Sequence, residues 1–358
     1  MFSLFNSSRK KSYLGIDIGT TSIKMVELEG RKGEKPTLKN YGALEGYGYL
    51  DRVNNAIQTS SLKMFDSEVK DLLSVLIKKT KPKATNVIAS LPSFASFTTL
   101  LDIPMMSPAE TAQAVNYQAR AFVPMPLTEV TIDWLPITEY DDERGVHKQQ
   151  IFLISVPNDH INKYKDIFSG VGLTLRTLEV EGLSLARLIT TGDPTLTLVV
   201  DIGGRSSAIA VCGGGLIRYC VQTDFAGGSL TQSLASGLNI NIQRAEELKK
   251  QRGLAGTGGE YELSTLIAPF LDVILSETKR VKDAYEKTYK GKIERIVLSG
   301  GGANLKGIEE YVSKEFGMPV LKVDPSARIN YPPNVRPLVP EIASPFAVAF
   351  GLALREFI

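Results

Sequence analysis

The chain has 358 residues, 43% hydrophobic and 22% charged, and its 41 basic and 39 acidic side chains leave a formal net charge of +2. That length supports two or more domains with an ample core, and the near-balance of charge gives no reason to invoke a nucleic-acid partner. The two cysteines, Cys212 and Cys220, have no CxxC spacing, which excludes a disulfide framework and reads as reduced core thiols of a cytoplasmic protein.

No apolar run reaches the ~18 to 20 residues that a membrane-spanning helix needs. The opening MFSLFNSSRKK places its charges after a very short apolar stretch, the reverse of a signal peptide. Phe2, Leu4 and Phe5 beside Arg9, Lys10 and Lys11 read as a frayed terminus, with contact to a membrane surface or a partner as the alternative. Leu14, Ile16 and Ile18 alternate, Gly19-Thr20-Thr21 interrupts, and Ile23, Met25 and Leu28 resume; this predicts two strands joined by a tight polar turn. Residues 66–79 set Val69, Leu72, Leu73, Leu76 and Ile77 on one helical stripe that Pro82 stops, and TNVIASL reads as a strand.

Ser107, Pro108 and Glu110 make a capping-box start for a helix that Pro124 and Pro126 end. A strand EVTIDWLPI, an exposed charged turn EYDDERG, a strand QIFLISV and a capped helix NDHINKYKDIFSG closed by Gly170 follow. Residues 84–173 therefore read as one compact βαββα-like unit. TLTLVVDIGGRSSAIAVCGGGLIRYCVQT reads as apolar strands broken by glycine turns. Residues 228–290 read as mostly helical, with Asn241 as a cap and Gly253 as a stop. ERIVLSGGGANLKGIEEYVSKEFGMPV gives a buried strand, a triple-glycine turn and a helix, and SPFAVAFGLALREFI gives a short buried terminal helix.

Setting LGIDIGTTSIKMVE against LVVDIGGRSSAIAV exposes a repeat, with Leu, Asp, Ile, Gly and Ser in register and Asp17 matching Asp201. Each copy alone would serve as an ordinary hairpin turn. A glycine turn between strands also bares backbone N–H groups to phosphate oxygens, and the hydroxyls of Thr20 and Thr21 add donors. An Asp before each turn can hold a hydrated Mg²⁺. Two such turns, around Gly19 and around Gly203-Gly204, would clamp a polyphosphate from both sides. The cluster Gly300-Gly301-Gly302, which follows RIVL and opens a helix, offers bare backbone to a base or ribose.

On these residues the sequence resembles the actin–Hsp70–sugar kinase ATPase superfamily. DIGTTSIK resembles its first phosphate motif, DIGGRSS its second and LSGGGANLKGI its adenosine motif, which includes Asn304. TDFAGGSLT resembles the segment whose paired glycines, here Gly227 and Gly228, approach the nucleotide, and RAEELKK the ribose-contacting helix, with Glu246 and Lys249 matching. The resemblance implies ATP and Mg²⁺ as ligands, Asp17 and Asp201 reaching the metal through water. It also implies a duplicated actin-like (ribonuclease H-like) α/β fold. Lys24 is a candidate for neutralising phosphate charge or a plain strand lysine. The second motif departs from the family's three glycines: Arg205 replaces the third, and Ser207 stands where many relatives carry an acid.

SLPSFASFTTLLDIPMMSPAE and QARAFVPMPLTEVTIDW, with Pro124, Pro126, Val130 and Asp133 in a Pro-x-Pro-x-x-x-Val-x-x-Asp pattern, are similar to the PilM family of type IV pilus assembly proteins, relatives of FtsA. The resemblance implies an SHS2-like 1C subdomain over 84–173, inserted into subdomain 1A (1–83, completed by 174–195 and 341–358). Subdomain 2A is implied over 196–227 and 291–340, and a helical 2B over 228–290. It further implies an adaptor that grips the N-terminal cytoplasmic tail of a PilN-like inner-membrane protein in a groove between 1A and 1C, with other pilus components or a second copy as further partners. Helix 109–122 and the strand near Val87 to Ser90 are the candidate groove walls. No amphipathic helix follows Ile358, so contact with the membrane is expected through a partner.

Glu181 in VEGLSLARL is the one candidate for orienting a hydrolytic water; a solvated glutamate at a helix start is the equal alternative. His147 and His160 lack metal-spaced partners, and GxxxxGK[ST], HExxH and GxSxG are absent. Tyrosines around 41–49 sit in a Gly-rich stretch without basic interleaving, which disfavours base stacking. A sugar or small-acid kinase of the same fold is the enzymatic alternative, with Asp102, Asp133, Asp141 and Asp142 as the available carboxylates; a polymerising FtsA-like protein is the other.

Overall fold

In the computed structural model the described residues are 10–45, 66–92, 95–254 and 261–358; Phe2, Leu4, Phe5, Arg9 and the tyrosine-rich stretch beyond Glu45 lie outside them. Strands β1 (Lys11–Ile18) and β2 (Ser22–Gly30) pair antiparallel with Asp17 opposite Lys24, and β3 (Thr37–Glu45) extends the sheet from β2. Helix α1 (Asp66–Thr80) buries Val69, Leu73 and Leu76 of the expected stripe. It stops where Lys81 turns to φ 50° ahead of Pro82. Strand β4 (Asn86–Leu91) then runs parallel to β1.

Strands β5 (Phe97–Pro104), β6 (Val130–Asp141) and β7 (His147–Pro157) build a separate three-stranded sheet, order β5-β7-β6. One helix, α2 (Pro108–Phe122), packs on it, placing Val115 and Ala119 against Leu101, Ile103, Ile151 and Leu153. The capping box at Ser107 and Glu110 forms as the sequence predicts. In the Pro-x-Pro stretch, Pro126 opens a short 3-10 turn, Val130 joins this small core, and Asp133 accepts from the neighbouring Trp134 N–H.

Helix α3 (Asn158–Gly170) and strand β8 (Thr174–Val180) return the chain to the first sheet, order β3-β2-β1-β4-β8. The expected 84–173 unit is therefore too wide. Strand β4 hydrogen-bonds to β1 and β8, and Tyr164, Ile167 and Phe168 of α3 fill the first core, so the separate sheet occupies 97–157. Helix α3 closes at Gly170 as expected, but its start differs: Asn158 lies inside the helix, its side chain bonded to Thr128 and Thr131 rather than capping.

Helix α4 (Glu181–Thr190) leads to the second half. There β9 (Thr197–Ile202), β10 (Ser207–Gly213) and β11 (Leu216–Thr223) repeat the β1–β2–β3 arrangement. Helices α5 (Gly227–Leu238), α6 (Ile242–Arg252, capped by Asn241) and α7 (Tyr261–Tyr289) follow. Strand β12 (Arg295–Ser299), helix α8 (Ile308–Phe316) and strand β13 (Val320–Lys322) complete a sheet of order β11-β10-β9-β12-β13. The two five-stranded sheets share one topology, strand for strand. The repeat read from Asp17 and Asp201 is thus a duplication of whole half-molecules.

Val323, Ile329, Tyr331 and Val339 pack in the first core, and Leu38 N–H donates to the Asn330 carbonyl. The chain therefore crosses back before residue 341, earlier than the expected boundary. The last helix, α9 (Ala347–Leu354), is buried at every position. It lies against α4 and β1 through missing side chains: a Cβ on Gly351 would stand 2.1 Å from the Ser184 carbonyl oxygen, and one on Gly15 2.0 Å from that of Ala349. Among the described residues no single helix is long and apolar enough to cross a membrane.

Candidate functional site

The two Asp-Gly turns have the same internal geometry. Gly19 N–H donates to the Ser22 carbonyl at 3.0 Å, and Gly203 N–H to the Ser206 carbonyl at 3.1 Å. They face each other at contact distance: a Cβ on Gly204 would lie 2.8 Å from Thr21 Oγ1 and 3.5 Å from Thr20 Oγ1. Gly227 and Gly228, at the start of α5, dock on the second turn by donating to the carbonyls of Gly203 (2.9 Å) and Gly204 (2.8 Å). A Cβ on Gly228 would sit 2.7 Å from the Gly204 oxygen, so the close approach requires glycine. It brings the electropositive start of α5 to the turns.

Each half carries a serine on the parallel strand beside its aspartate, Ser90 beside Asp17 and Ser299 beside Asp201. In the first half Ser90 Oγ accepts from Ile18 N–H at 3.1 Å and donates to Asp17 Oδ1 at 2.8 Å, while Lys24 stands 3.6 Å from Asp17 Oδ2. In the second, Asp201 Oδ1 and Ser299 Oγ are sealed from solvent and neither makes a hydrogen bond of ordinary geometry. Burial pushes the Asp201 carboxyl up to about 6, with the nearby Ser299 hydroxyl and Lys24 pulling it down and Asp17 adding to the rise.

The third glycine run closes the site from the side. Gly300 takes φ 79°, which only glycine adopts freely, and its N–H donates to the Ser344 carbonyl at 3.1 Å. A Cβ on Gly301 would meet nothing within 4 Å, so this stretch of backbone borders open space. The Ser344 hydroxyl is buried with no partner. Asn304 borders the same cavity, its amide donating to the Glu341 carbonyl at 3.2 Å.

On the far wall Lys249 pairs with Glu246 at 2.6 Å and donates to the Gly227 carbonyl (2.9 Å) and Thr231 Oγ1 (2.7 Å). Burial works against the Glu246 carboxylate, yet Lys249, Thr231 and Lys250 together hold it below the usual range. Above this pair Lys250 reaches Glu45 at 3.4 Å, an ion pair between α6 and the end of β3.

All the predicted residues border one cavity of about 400 Å³: Asp17, Gly19, Thr20, Thr21, Lys24, Glu181, Asp201, Gly203, Gly204, Gly227, Gly228, Glu246, Lys249 and Asn304, with Gly300, Gly301 and Gly302. Arg205 and Ser344 border it too, whereas the Ser207 hydroxyl turns to the Phe225 carbonyl at 2.7 Å. Glu181 begins α4 there. Ser90, Ser299, Ser344, Glu45 and Lys250 are the site residues that sequence reading passes over. Ser90 and Ser299 were detectable, since NVIAS and RIVLS end in serine at equivalent places of the repeat.

Orphaned acceptors and hydroxyls around bare glycine backbone fit an anionic, hydroxyl-bearing ligand with a cation. Among the described residues no cluster of three or more His, Cys, Asp or Glu forms a direct metal cage. Asp17 and Asp201, the two aspartates on the cavity, suit a cation that keeps its waters, as Mg²⁺ does. The kinase-style carboxylates are engaged elsewhere: Asp102 accepts from Gln150, Asp142 pairs with Lys148, and Asp141 bonds His147. Burial pushes the Cys212 and Cys220 thiols up, as for inert core thiols.

Residues 15–357 match the family described as type IV pilus assembly protein PilM. The cell division protein FtsA of Pseudomonas aeruginosa is 26% identical over 209 residues, 51% of this chain and 48% of that one, so the chain spans about half the length of that relative. Among solved structures, the PilM-PilN type IV pilus biogenesis complex superimposes with a TM-score of 0.80 at 23% identity, over 97% of this chain and 98% of that one. MreB 5 of Spiroplasma citri bound to AMPPNP gives a TM-score of 0.54 at 15% identity, over 97% and 96% of the two chains. The architecture is the duplicated actin-like ATPase fold.

Proposed function

Because the chain belongs to the type IV pilus assembly protein PilM family, we propose that it is an ATP-binding cytoplasmic adaptor of a pilus, or related secretion, assembly complex at the inner membrane. The observation that carries the nucleotide is Asp201, which lines the cavity between the two glycine turns with its buried Oδ1 left without a hydrogen bond. In this reading the turn amides of 19–21 and 203–205 and the start of α5 hold phosphates, and Lys24 and Arg205 offset their charge. Asp17 and Asp201 hold the waters of Mg²⁺, which neutralises phosphate charge when bound. Glu246 and Lys249 meet the ribose, and the 300–304 backbone meets the base.

The partner is the N-terminal cytoplasmic tail of a PilN-like membrane protein, taken between the first half and the 97–157 unit. Support for this comes from the family match and from the partner named in the similar complex. The candidate walls are α2 and the β4 end. That strand ends at Leu91, and Ser90 on it holds Asp17, so one strand touches both the nucleotide carboxylate and the proposed groove. Glu181 orients water for slow turnover, and binding rather than turnover is the function.

The test is fluorescence anisotropy of a labelled synthetic tail peptide titrated with the full chain, with and without ATP and Mg²⁺. Saturable binding whose affinity changes with nucleotide is expected. Absence of binding in both conditions would contradict the adaptor reading.

A further inference from the structure

The edge of the first sheet opposite the turns carries charge that the cleft does not use. Strand β1 starts at Lys11, the β2–β3 turn spans 31–36, and the α1–β4 link spans 81–85. The antiparallel β1–β2 and parallel β1–β4 registers bring all three onto one rim. Six exposed lysines stand on it: Lys10, Lys11, Lys32, Lys35, Lys81 and Lys83.

The carboxylates of that rim are spent. Glu34 pairs with Arg31 at 3.4 Å, Glu29 with Lys39 at 3.0 Å and Glu356 with Arg355 at 3.4 Å. Glu27 is 2% exposed and turned inward, accepting from the backbone N–H groups of Lys83 and Ala84 and the Ser12 hydroxyl. Lys35 donates to the Ser326 carbonyl at 2.6 Å, and among the described residues none of the six lysines forms an ion pair. Since the whole chain carries only +2, the remainder of the molecule is net acidic. The charge is therefore polarised, and a polarised molecule orients one face towards an anionic surface.

We propose that this rim docks on the anionic phospholipid headgroups of the inner leaflet. The inference rests on the adaptor reading, in which a single-span partner holds the chain beside that leaflet. Weak lysine attraction then acts at high effective concentration and sets orientation, without supplying the whole anchor. The rim spans the edges of three adjacent strands and the helix–strand link, a broad front of separate point charges. Phosphate contacts of that kind need no groove and no stacking platform. By strand rise it lies about 25 Å from the turns, so a docked bilayer leaves the cleft open.

The experiment is co-sedimentation of the full chain with phosphatidylglycerol–phosphatidylcholine vesicles and with pure phosphatidylcholine vesicles, at low and high salt. It is repeated with the variant Lys32→Glu/Lys35→Glu/Lys81→Glu/Lys83→Glu, whose folding is checked by its thermal melt and ATP binding. Binding only to the anionic vesicles, weakened by salt and reduced more than about a hundredfold in the variant, is expected, since each lost lysine costs roughly fivefold. Equal binding by a folded variant, or no binding by the wild type, overturns the proposal. Tighter binding to single-stranded RNA than to the anionic vesicles overturns it in favour of a nucleic acid. If the variant does not fold, Lys32→Glu/Lys35→Glu alone, at a surface turn, serves in its place. A wild type that takes the tail peptide yet ignores vesicles refutes this inference alone; failure to take the peptide refutes the adaptor reading itself.

Discussion

Ser90 donates to Asp17 at 2.8 Å, whereas its counterpart Ser299 makes no hydrogen bond with Asp201. The duplicated halves therefore differ here: the first carboxylate is preset by a hydroxyl and by Lys24 at 3.6 Å, and the second keeps one buried oxygen without a hydrogen bond of ordinary geometry. A buried group without a partner costs stability in the empty protein and gains most from a ligand. In the proposed reading, the second half is where ligand binding completes the structure.

Asp201→Asn tests that asymmetry through pH. The folded carboxyl titrates at about 6 against an ordinary value of 3.8. Between those values the folded chain keeps a proton that the unfolded chain has lost. Stability therefore falls as pH rises through this window, and the penalty is full above it. The variant should be more stable than wild type at neutral pH, by on the order of 1–2 kcal/mol, and flat across the window. Thermal melts without nucleotide check this; a destabilised variant with the wild-type slope would refute it.

Gly228→Ala and Gly301→Ala separate packing from ligand contact. The first would place a methyl 2.7 Å from the Gly204 carbonyl and push α5 off the second turn, lowering both stability and nucleotide affinity. The second meets nothing within 4 Å and should melt like wild type. Its methyl nevertheless enters the cavity, and an affinity loss of about tenfold is expected, read by displacement of a fluorescent nucleotide. Unchanged affinity in Gly301→Ala would move the base away from this backbone.

Gly351→Ala addresses the packing of α9 on α4. Its Cβ would stand 2.1 Å from the Ser184 oxygen, where α9 crosses α4. Backbone cannot yield cheaply there, so destabilisation of about 3 kcal/mol is expected, seen in chemical denaturation. A melt like that of wild type would mean that the two helices separate freely.

Glu181→Gln distinguishes a water-orienting carboxylate from a helix-start charge. If Glu181 orients water, the slow turnover falls about a hundredfold or more while nucleotide affinity is kept. A helix-start role predicts instead a small loss of stability with turnover unchanged.

The cleft was legible because its residues recur. Asp17 and Asp201 share spacing, flanking strands and a glycine turn, and the duplication makes each copy evidence for the other. Ser90 and Ser299 were less visible because a single serine in an apolar strand looks like core filler until the half-molecules are aligned. The limits of the 97–157 unit were misread for a different reason. The apolar patterns of β4 and α3 are the same whichever core they fill, and only long-range pairing with β1 and β8 decides. The contact between Glu45 and Lys250 has no local signal at all, since two exposed charges far apart in sequence carry no periodicity.

The most direct test of the central claim, that two facing Asp-Gly turns form a nucleotide clamp, is calorimetric titration of ATP with Mg²⁺ into the wild type and Asp17→Ala. The clamp predicts one-to-one binding by the wild type and its loss in a variant that still folds. No binding by the wild type, or equal affinity in Asp17→Ala, would contradict it.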